Sequence, residues 1–147
     1  MARLGIRIAI VAVIALGGFI FRDRIAGSAG DLKVGDCFDV TEQTTVEDVQ
    51  HHPCNEAHTA EVVLVSQYGA PEGATYPTDT ELLGYINSAC ANGVAAYVGT
   101  GVNLDTLDWG MFYPAESDWS KGERKITCYV AQLNHSTMTK SLKAGAQ

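Results

Sequence analysis

Four widely spaced cysteines limit the folds open to this chain: Cys37, Cys54, Cys90 and Cys128. An even number of cysteines behind an apolar N-terminus is typical of two disulfides formed in an oxidising compartment. No two of them have the Cys-x-x-Cys spacing of a zinc ribbon or a thioredoxin-type redox site. We therefore expect a disulfide-stabilised domain that folds outside the cytoplasm.

The N-terminal segment is of the membrane-directed type. Residues 4–21 are apolar or glycine except for Arg7, and a helix of that length spans roughly 27 Å, close to the thickness of a bilayer core. The charged residues 22–24 that follow favour a retained anchor, whereas the small residues 27–29 would suit a cleaved signal peptide. Both interpretations stay open, and the anchor is preferred.

Composition divides the chain into a transmembrane anchor at residues 1–24, a flexible linker at 25–30 and an extracytoplasmic domain at 31–147. Four of the ten basic residues and one of the seventeen acidic residues lie before residue 31, so the domain carries 6 basic and 16 acidic residues, a net charge of −10. Such a domain repels nucleic acid, since binding to phosphates depends on clustered Lys and Arg. It would also be repelled by anionic lipid headgroups unless it is tethered to the membrane.

One long helix is predicted in the middle of the chain. Thr78 and Glu81 have the spacing of a capping box, and a helix is expected from residue 79 to residue 98. Apolar residues then recur every three or four positions and predict one buried stripe: Leu83, Ile86, Cys90, Val94 and Tyr97. Gly93 within this helix indicates either a break or close packing against a neighbour.

The remaining ordered segments are predicted to be strands. The segment 59–68 is the best candidate for a central strand because its run of branched apolar residues suits burial on both faces. Other strands are expected at 32–40, 44–50, 108–113 and 124–133, with a loop at 51–58. The predicted fold class is α+β: a small antiparallel sheet with one long helix packed on a face, two disulfides and one N-terminal transmembrane helix.

These faces suggest a disulfide pairing. Cys90 lies on the apolar stripe of the helix, and Cys128 shares a strand face with Ile126 and Val130. Because the two apolar surfaces should pack together, Cys90 is expected to bond to Cys128. Of the three possible pairings, the favoured one therefore leaves Cys37 with Cys54.

Several blocks of the sequence resemble the septum formation domain family of high-GC Gram-positive cell envelopes. The blocks are Asp-Leu-Lys-Val-Gly-Asp-Cys-Phe at 31–38, Pro-Cys-Asn-Glu-Ala-His-Thr-Ala-Glu-Val at 53–62, Tyr-Pro-Ala-Glu-Ser-Asp-Trp-Ser-Lys-Gly-Glu-Arg at 113–124, and Ser-Leu-Lys at 141–143. Departures from the family pattern are Ala57, Glu123 and Lys140. The resemblance implies a membrane-anchored extracytoplasmic domain linked by name to cell division, and it implies no particular reaction.

A polar cluster is one candidate site: His51, His58 and Glu61, with His52 and Glu56 nearby. A metal site would need several of these side chains to converge on one ion. Adjacent His51 and His52 would point to opposite sides of an extended chain, and Cys54 is expected to be in a disulfide. A structural role for His58 and Glu61 is therefore favoured, and no metal is predicted.

An aromatic set is the second candidate site: Trp109, Phe112, Tyr113 and Trp119. These side chains would form a partner-binding surface if they are exposed. Alternatively, they fill the core, with Trp119 folded over the hairpin. The exposure of Trp119 distinguishes the two interpretations.

No catalytic residue is predicted, because no serine lies in a Gly-x-Ser-x-Gly context and the acidic residues look like solvated loop positions. We expect a non-enzymatic, single-pass protein of the cell membrane with its C-terminal domain outside the cytoplasm. It would act as an interaction or accessory module for envelope proteins, without a cofactor. The alternative is a ligand-binding sensor with a pocket between helix and sheet, lined by Tyr85 and Tyr97.

Overall fold

The computed structural model describes residues 26–40 and 49–146. These residues form one antiparallel sheet, one long helix and one short helix. The strands are β1 (Ala26–Gly27), β2 (Cys37–Asp39), β3 (Val49–His52), β4 (Ala60–Gln67), β5 (Leu107–Phe112) and β6 (Lys125–Gln132). They lie in the order β1-β3-β2-β4-β6-β5, and β1 has only two residues. The predicted small antiparallel sheet with one long helix is confirmed.

Strand β4 lies inside the sheet between β2 and β6, as its apolar run predicted. The register against β6 shifts between Val62 and Leu64, which marks a bulge. Val62 packs on one face of the sheet, while Val63 and Leu64 pack on the other. Both faces of β4 are therefore covered.

The long helix α1 spans Asp79–Tyr97 and begins with the predicted capping box. The Thr78 hydroxyl accepts a hydrogen bond from the Glu81 N–H, and the Glu81 carboxylate accepts one from the Thr78 N–H at 3.0 Å. Gly93 packs closely, since a Cβ atom there would lie 2.7 Å from the Leu64 Cβ. Of the two interpretations of Gly93, close packing is the one observed.

The predicted stripe is wrong at its first position. Leu83 is 40 % exposed, and Leu82 is buried in its place. Leu82 and Leu83 lie four and three residues before Ile86, and both spacings occur on one helix face. The steps of four from Leu82 to Ile86 and from Ile86 to Cys90 place Leu82 over the sheet.

The helix covers one face of the sheet, which we call the helix face. Its buried residues are Val63, Leu82, Ile86, Cys90, Tyr97, Ile126, Cys128 and Val130. A disulfide joins Cys90 to Cys128 with a Cα–Cα distance of 5.4 Å, and a second joins Cys37 to Cys54. Both predicted pairings are confirmed.

On the opposite side of the sheet, which we call the N-terminal face, no long helix lies among the described residues. The buried residues of this face are Ala29, Leu32, Phe38, Val49, Ala60 and Val62, with Phe112 and Tyr129 packed against them. The segment 28–32 lies over this face, and the Lys125 ammonium donates to the carbonyls of Gly30 and Leu32. A sheet face made of apolar side chains needs such a cover, and Ala29 and Leu32 supply it.

The predicted linker at 25–30 therefore needs a correction over the residues described. Ala26 and Gly27 form β1 and pair with β3, and Ala29 is 2 % exposed. The segment looks flexible from its small residues alone, but it is held by strand pairing and by apolar burial. The folded domain thus begins before residue 31.

One further departure concerns β3. His51 and His52 belong to β3, so the predicted loop 51–58 begins later than expected. Most of the predicted strand at 44–50 lies outside the described residues, as does the predicted anchor at 1–24. Within residues 26–40 and 49–146, no helix has the length and apolar character needed to cross a bilayer.

Candidate functional site

A buried carboxylate, Glu61, ties the sheet to the C-terminal segment. Its side chain is fully buried and accepts three hydrogen bonds from the part of the chain that the structure describes: from the Tyr97 hydroxyl at 2.6 Å, the Ser141 hydroxyl at 2.5 Å and the Leu142 N–H at 2.7 Å. A buried carboxylate without such donors would be strongly unfavourable. Burial raises the pKa of Tyr97, and the hydrogen bond to Glu61 and the charge of that carboxylate raise it further.

The C-terminal segment is fastened around this carboxylate by the backbone as well. Met138 forms a two-bond bridge with His58, and Val98 pairs with Lys143. The Ala144 N–H donates to the carbonyl of Tyr97 at 2.9 Å. Sequence reasoning placed Glu61 in a structural role but did not connect it to Ser141, although Ser141 stood in one of the recognised blocks.

His58 lies beside Glu61 and is also fully buried. Its Nδ1 is 2.8 Å from the Glu56 carbonyl oxygen, and its Nε2 has no hydrogen-bond partner among the described residues. Ligand-type atoms of Cys37, His58 and Glu61 all lie within 4.8 Å of one another. The polar cluster expected from the sequence therefore comes together at His58 and Glu61.

His51 is not part of this group of ligand-type atoms. It lies on β3 opposite Phe38 and is half-buried. Its neighbour His52 places Nε2 2.8 Å from the Asp39 carboxylate. The adjacent histidines thus have different surroundings.

The four aromatic candidates do not form one surface. Trp119 is 3 % exposed, Trp109 packs on the helix face, and Phe112 packs on the N-terminal face. Tyr113 is the exposed member of the set, at 40 %. The interpretation of Trp119 as a core residue is the one that the structure supports.

Arg124 holds Trp119 in place, a role that sequence reasoning missed. Its guanidinium lies 3.7 Å from the centre of the Trp119 ring, in a cation–π contact. Its Nη1 donates to the carbonyls of Trp119 and Glu123, and the Trp119 Nε1 donates to the carbonyl of Ala74. These contacts close the turn between β5 and β6, which contains the short helix α2 (Glu116–Trp119).

An apolar cleft of about 290 Å³ opens beside this turn, and we call it the Tyr113 cleft. One wall is the segment 28–30, and the other is the stretch 112–115, so Phe112 and Tyr113 both line it. Asp118, Glu123, Lys125 and Thr127 complete the lining. The Lys125 ammonium keeps its charge while it donates to the Gly30 and Leu32 carbonyls, and the Asp118 carboxylate is paired with the Lys121 ammonium at 2.9 Å, so the rim carries charges of both signs.

The two tyrosines expected to line a pocket between helix and sheet both make hydrogen bonds within the fold. Tyr97 donates to Glu61, and Tyr85 donates to the Gln67 carbonyl at 3.0 Å. The Tyr85 ring packs edge-on against Tyr68 with the ring centres 4.8 Å apart. Both tyrosines proposed to line such a pocket are therefore engaged in contacts within the fold.

The open edge of the sheet at β5 is partly closed to strand pairing. The Leu107 N–H donates to the Leu104 carbonyl, and the Trp109 N–H donates to the Asp108 carboxylate at 2.8 Å. A partner strand needs free N–H groups along an edge. Strand addition at β5 is accordingly disfavoured, and the Tyr113 cleft is the better candidate surface.

A protein-family model described as "Septum formation" matches residues 34–146. The chain belongs to the septum formation family. No curated protein and no solved structure gives a significant match to it. The resemblance inferred from the sequence blocks is confirmed, and it links the domain to septum formation.

The family match spans both disulfides, the Glu61 contacts and the Tyr113 side of the cleft. The three departures from the family pattern are Ala57, Glu123 and Lys140, and all three are exposed in this septum formation domain. Substitution at exposed positions rarely changes stability by more than about 0.5 kcal/mol. The departures therefore leave the buried contacts of the domain intact.

Proposed function

We propose that this septum formation domain is a non-enzymatic interaction module of a cell-envelope complex. Two disulfides support a location outside the cytoplasm. The apolar residues 4–21 support a single N-terminal anchor in the cell membrane. In this arrangement the domain contributes to septum formation by binding another envelope protein.

The Tyr113 cleft carries the proposal, because Phe112 and Tyr113 line it together and Tyr113 is exposed. An aromatic side chain at the mouth of an apolar cleft is a frequent anchor in protein interfaces. Residues 31–147 carry a net charge of −10, which favours a partner with positive charge, and Asp118 and Glu123 place two of the acidic residues at the cleft. The occupant we propose is an extracytoplasmic segment of another envelope protein, with an apolar side chain flanked by Lys or Arg.

The surroundings of the polar candidates support a non-catalytic role. His58 and Glu61 are both fully buried, and Glu61 is occupied by donors from the C-terminal segment. A general acid or base must reach the proton that it transfers in a bound substrate. Neither side chain meets that requirement in this arrangement.

Site-specific photo-crosslinking of the full chain in native membranes tests the proposal. A photoreactive phenylalanine analogue at position 113 should give a discrete adduct with one envelope protein. The same analogue at position 85 is the matched control, because Tyr85 is exposed to a similar degree, 37 % against 40 %. Changing Asp118 and Glu123 together to Lys should weaken the adduct at position 113. Equal adducts at both positions, or none at position 113, would contradict the proposed surface.

A further inference from the structure

Three ligand-type side chains meet at a buried corner of the sheet: Cys37, His58 and Glu61. Cys37 in β2 is paired directly with Glu61 in β4, so the two side chains project to the same face. One ligand atom of each residue lies within 4.8 Å of the others, and all three residues are at most 1 % exposed. Sulfur, nitrogen and oxygen donors in one place form a set that zinc accepts.

His58 presents a nitrogen that nothing in the described residues satisfies. A carbonyl oxygen only accepts, so the 2.8 Å contact with the Glu56 carbonyl places a proton on Nδ1, and in the neutral imidazole Nε2 then carries a lone pair. This Nε2 is buried without a hydrogen-bond partner among the residues described. Histidines that bind metals commonly donate their other nitrogen to a backbone carbonyl in this way.

Glu61 retains capacity for one more contact. Its Oε1 accepts from Tyr97 and Ser141, whereas among the described residues its Oε2 accepts only from the Leu142 N–H. A carboxylate oxygen has two lone-pair positions. One position on Oε2 is therefore left by the hydrogen bonds of the described residues.

The third donor, the Cys37 sulfur, is not available as a thiolate ligand because it is bonded to Cys54. We propose that reduction of the Cys37–Cys54 disulfide converts this corner into a zinc(II) site, with the Cys37 thiolate, His58 Nε2 and the Glu61 carboxylate as ligands. A dithiol supplies the two electrons and two protons and is itself oxidised to a disulfide. Zinc then displaces the proton of the Cys37 thiol.

Charge and access are consistent with such a site. One thiolate, one carboxylate and one neutral imidazole balance the two charges of zinc, so the buried group is neutral overall. Cys54 is half-buried, and a cleft of about 290 Å³ reaches both cysteines.

Zinc distances of about 2.0–2.3 Å require the three donors to approach one another by roughly 1 Å. Opening the disulfide releases the restraint on Cys37 and on the loop that carries Cys54.

Two single variants of the full chain test this site: Cys54→Ser and Cys37→Ser. Both lose the same disulfide and keep Cys90–Cys128, but only Cys54→Ser retains the Cys37 thiol. Cys54→Ser should bind one zinc per chain, and cobalt(II) bound in its place should show thiolate-to-metal absorption in the near ultraviolet. Cys37→Ser should bind zinc at least about 100-fold more weakly. The wild type should behave like Cys37→Ser without reductant and like Cys54→Ser after treatment with a dithiol.

Histidine variants and unfolding measurements complete the test. In the Cys54→Ser chain, His58→Gln should abolish tight zinc binding, while His51→Gln should leave it in place. If loss of the disulfide unfolds the chain, zinc should restore the fold of Cys54→Ser and not of Cys37→Ser, since metal binding and folding are coupled. Equal zinc affinity in the two cysteine variants, or no zinc effect on the binding or folding of Cys54→Ser, would overturn the proposal.

Discussion

The two faces of the sheet are closed by different kinds of cover. On the helix face, α1 provides a capped, periodic element with a disulfide to β6. On the N-terminal face, the short segment 28–32 lies over the apolar residues and is held by Lys125 through two backbone carbonyls. The comparison shows that a sheet face can be completed by a segment with no periodic pattern of its own.

The two faces also differ in how closely they are filled. The helix face is filled by large side chains and by the close approach of Gly93 to Leu64. The Tyr113 cleft instead opens between the cover of the N-terminal face and the end of β5. We infer that the thinner cover leaves room for a partner, whereas the helix face serves the integrity of the fold.

The largest expected effect comes from removing a disulfide, and it should differ between the two bonds. The Cys90–Cys128 bond joins residues 38 apart, and the Cys37–Cys54 bond joins residues 17 apart. Loop entropy predicts losses of about 4 and about 3 kcal/mol in the free energy of unfolding when each pair is changed to Ala. Urea unfolding of the full chain measures both. If the free energy of unfolding fell further for the Cys37–Cys54 pair than for the Cys90–Cys128 pair, the helix face would not be the face that depends more strongly on its disulfide.

Local sequence signals predicted most of the helix face correctly. The capping box at Thr78 and the steps to Ile86 and Cys90 placed α1 correctly and paired Cys90 with Cys128. Leu82 and Leu83 were confused because each has a helical spacing to Ile86, and only the contact with the sheet decides between them.

Local sequence signals could not predict the N-terminal face or the contacts of Glu61. Ala29 lies in the predicted linker and Leu32 at the start of a predicted strand, and the burial of both depends on a face built elsewhere in the chain. Ser141 bonds to Glu61 across 80 residues of sequence. The burial of Trp119 likewise depends on Ala74 and Arg124, which no local pattern connects to it.

Substitution of one buried residue on each face tests whether the N-terminal face stabilises the fold as much as the helix face does. Leu32→Ala and Ile86→Ala each remove a fully buried aliphatic side chain, one from each face. Both should cost about 3 kcal/mol in the free energy of unfolding. Val34→Ala is the control, since Val34 is 50 % exposed and should cost less than about 0.5 kcal/mol. If Leu32→Ala were as mild as Val34→Ala, the segment 28–32 would be a dispensable cover and the comparison would fail.

The smallest expected loss in the free energy of unfolding comes from removing the hydrogen bond between Tyr97 and Glu61, and this loss depends on pH. Tyr97→Phe removes one of three donors to a buried carboxylate and should cost about 2 kcal/mol near neutral pH. Because the pKa of Tyr97 is raised in the folded chain, this contribution is fully present below the unfolded pKa of about 10 and is lost as the pH rises toward the folded value.

Above pH 10 the advantage of the wild type over Tyr97→Phe should therefore shrink by up to about 1.4 kcal/mol per pH unit. The raised pKa of Tyr129, caused mainly by burial, gives an alkaline loss common to both chains, so the difference between them isolates Tyr97. Ser141→Ala is the matched control, because it removes another donor to the same oxygen without removing a titrating group. Urea unfolding between pH 7 and pH 11 measures all three chains. A constant difference between wild type and Tyr97→Phe across this range would show that Tyr97 ionises as readily in the folded chain as in the unfolded one.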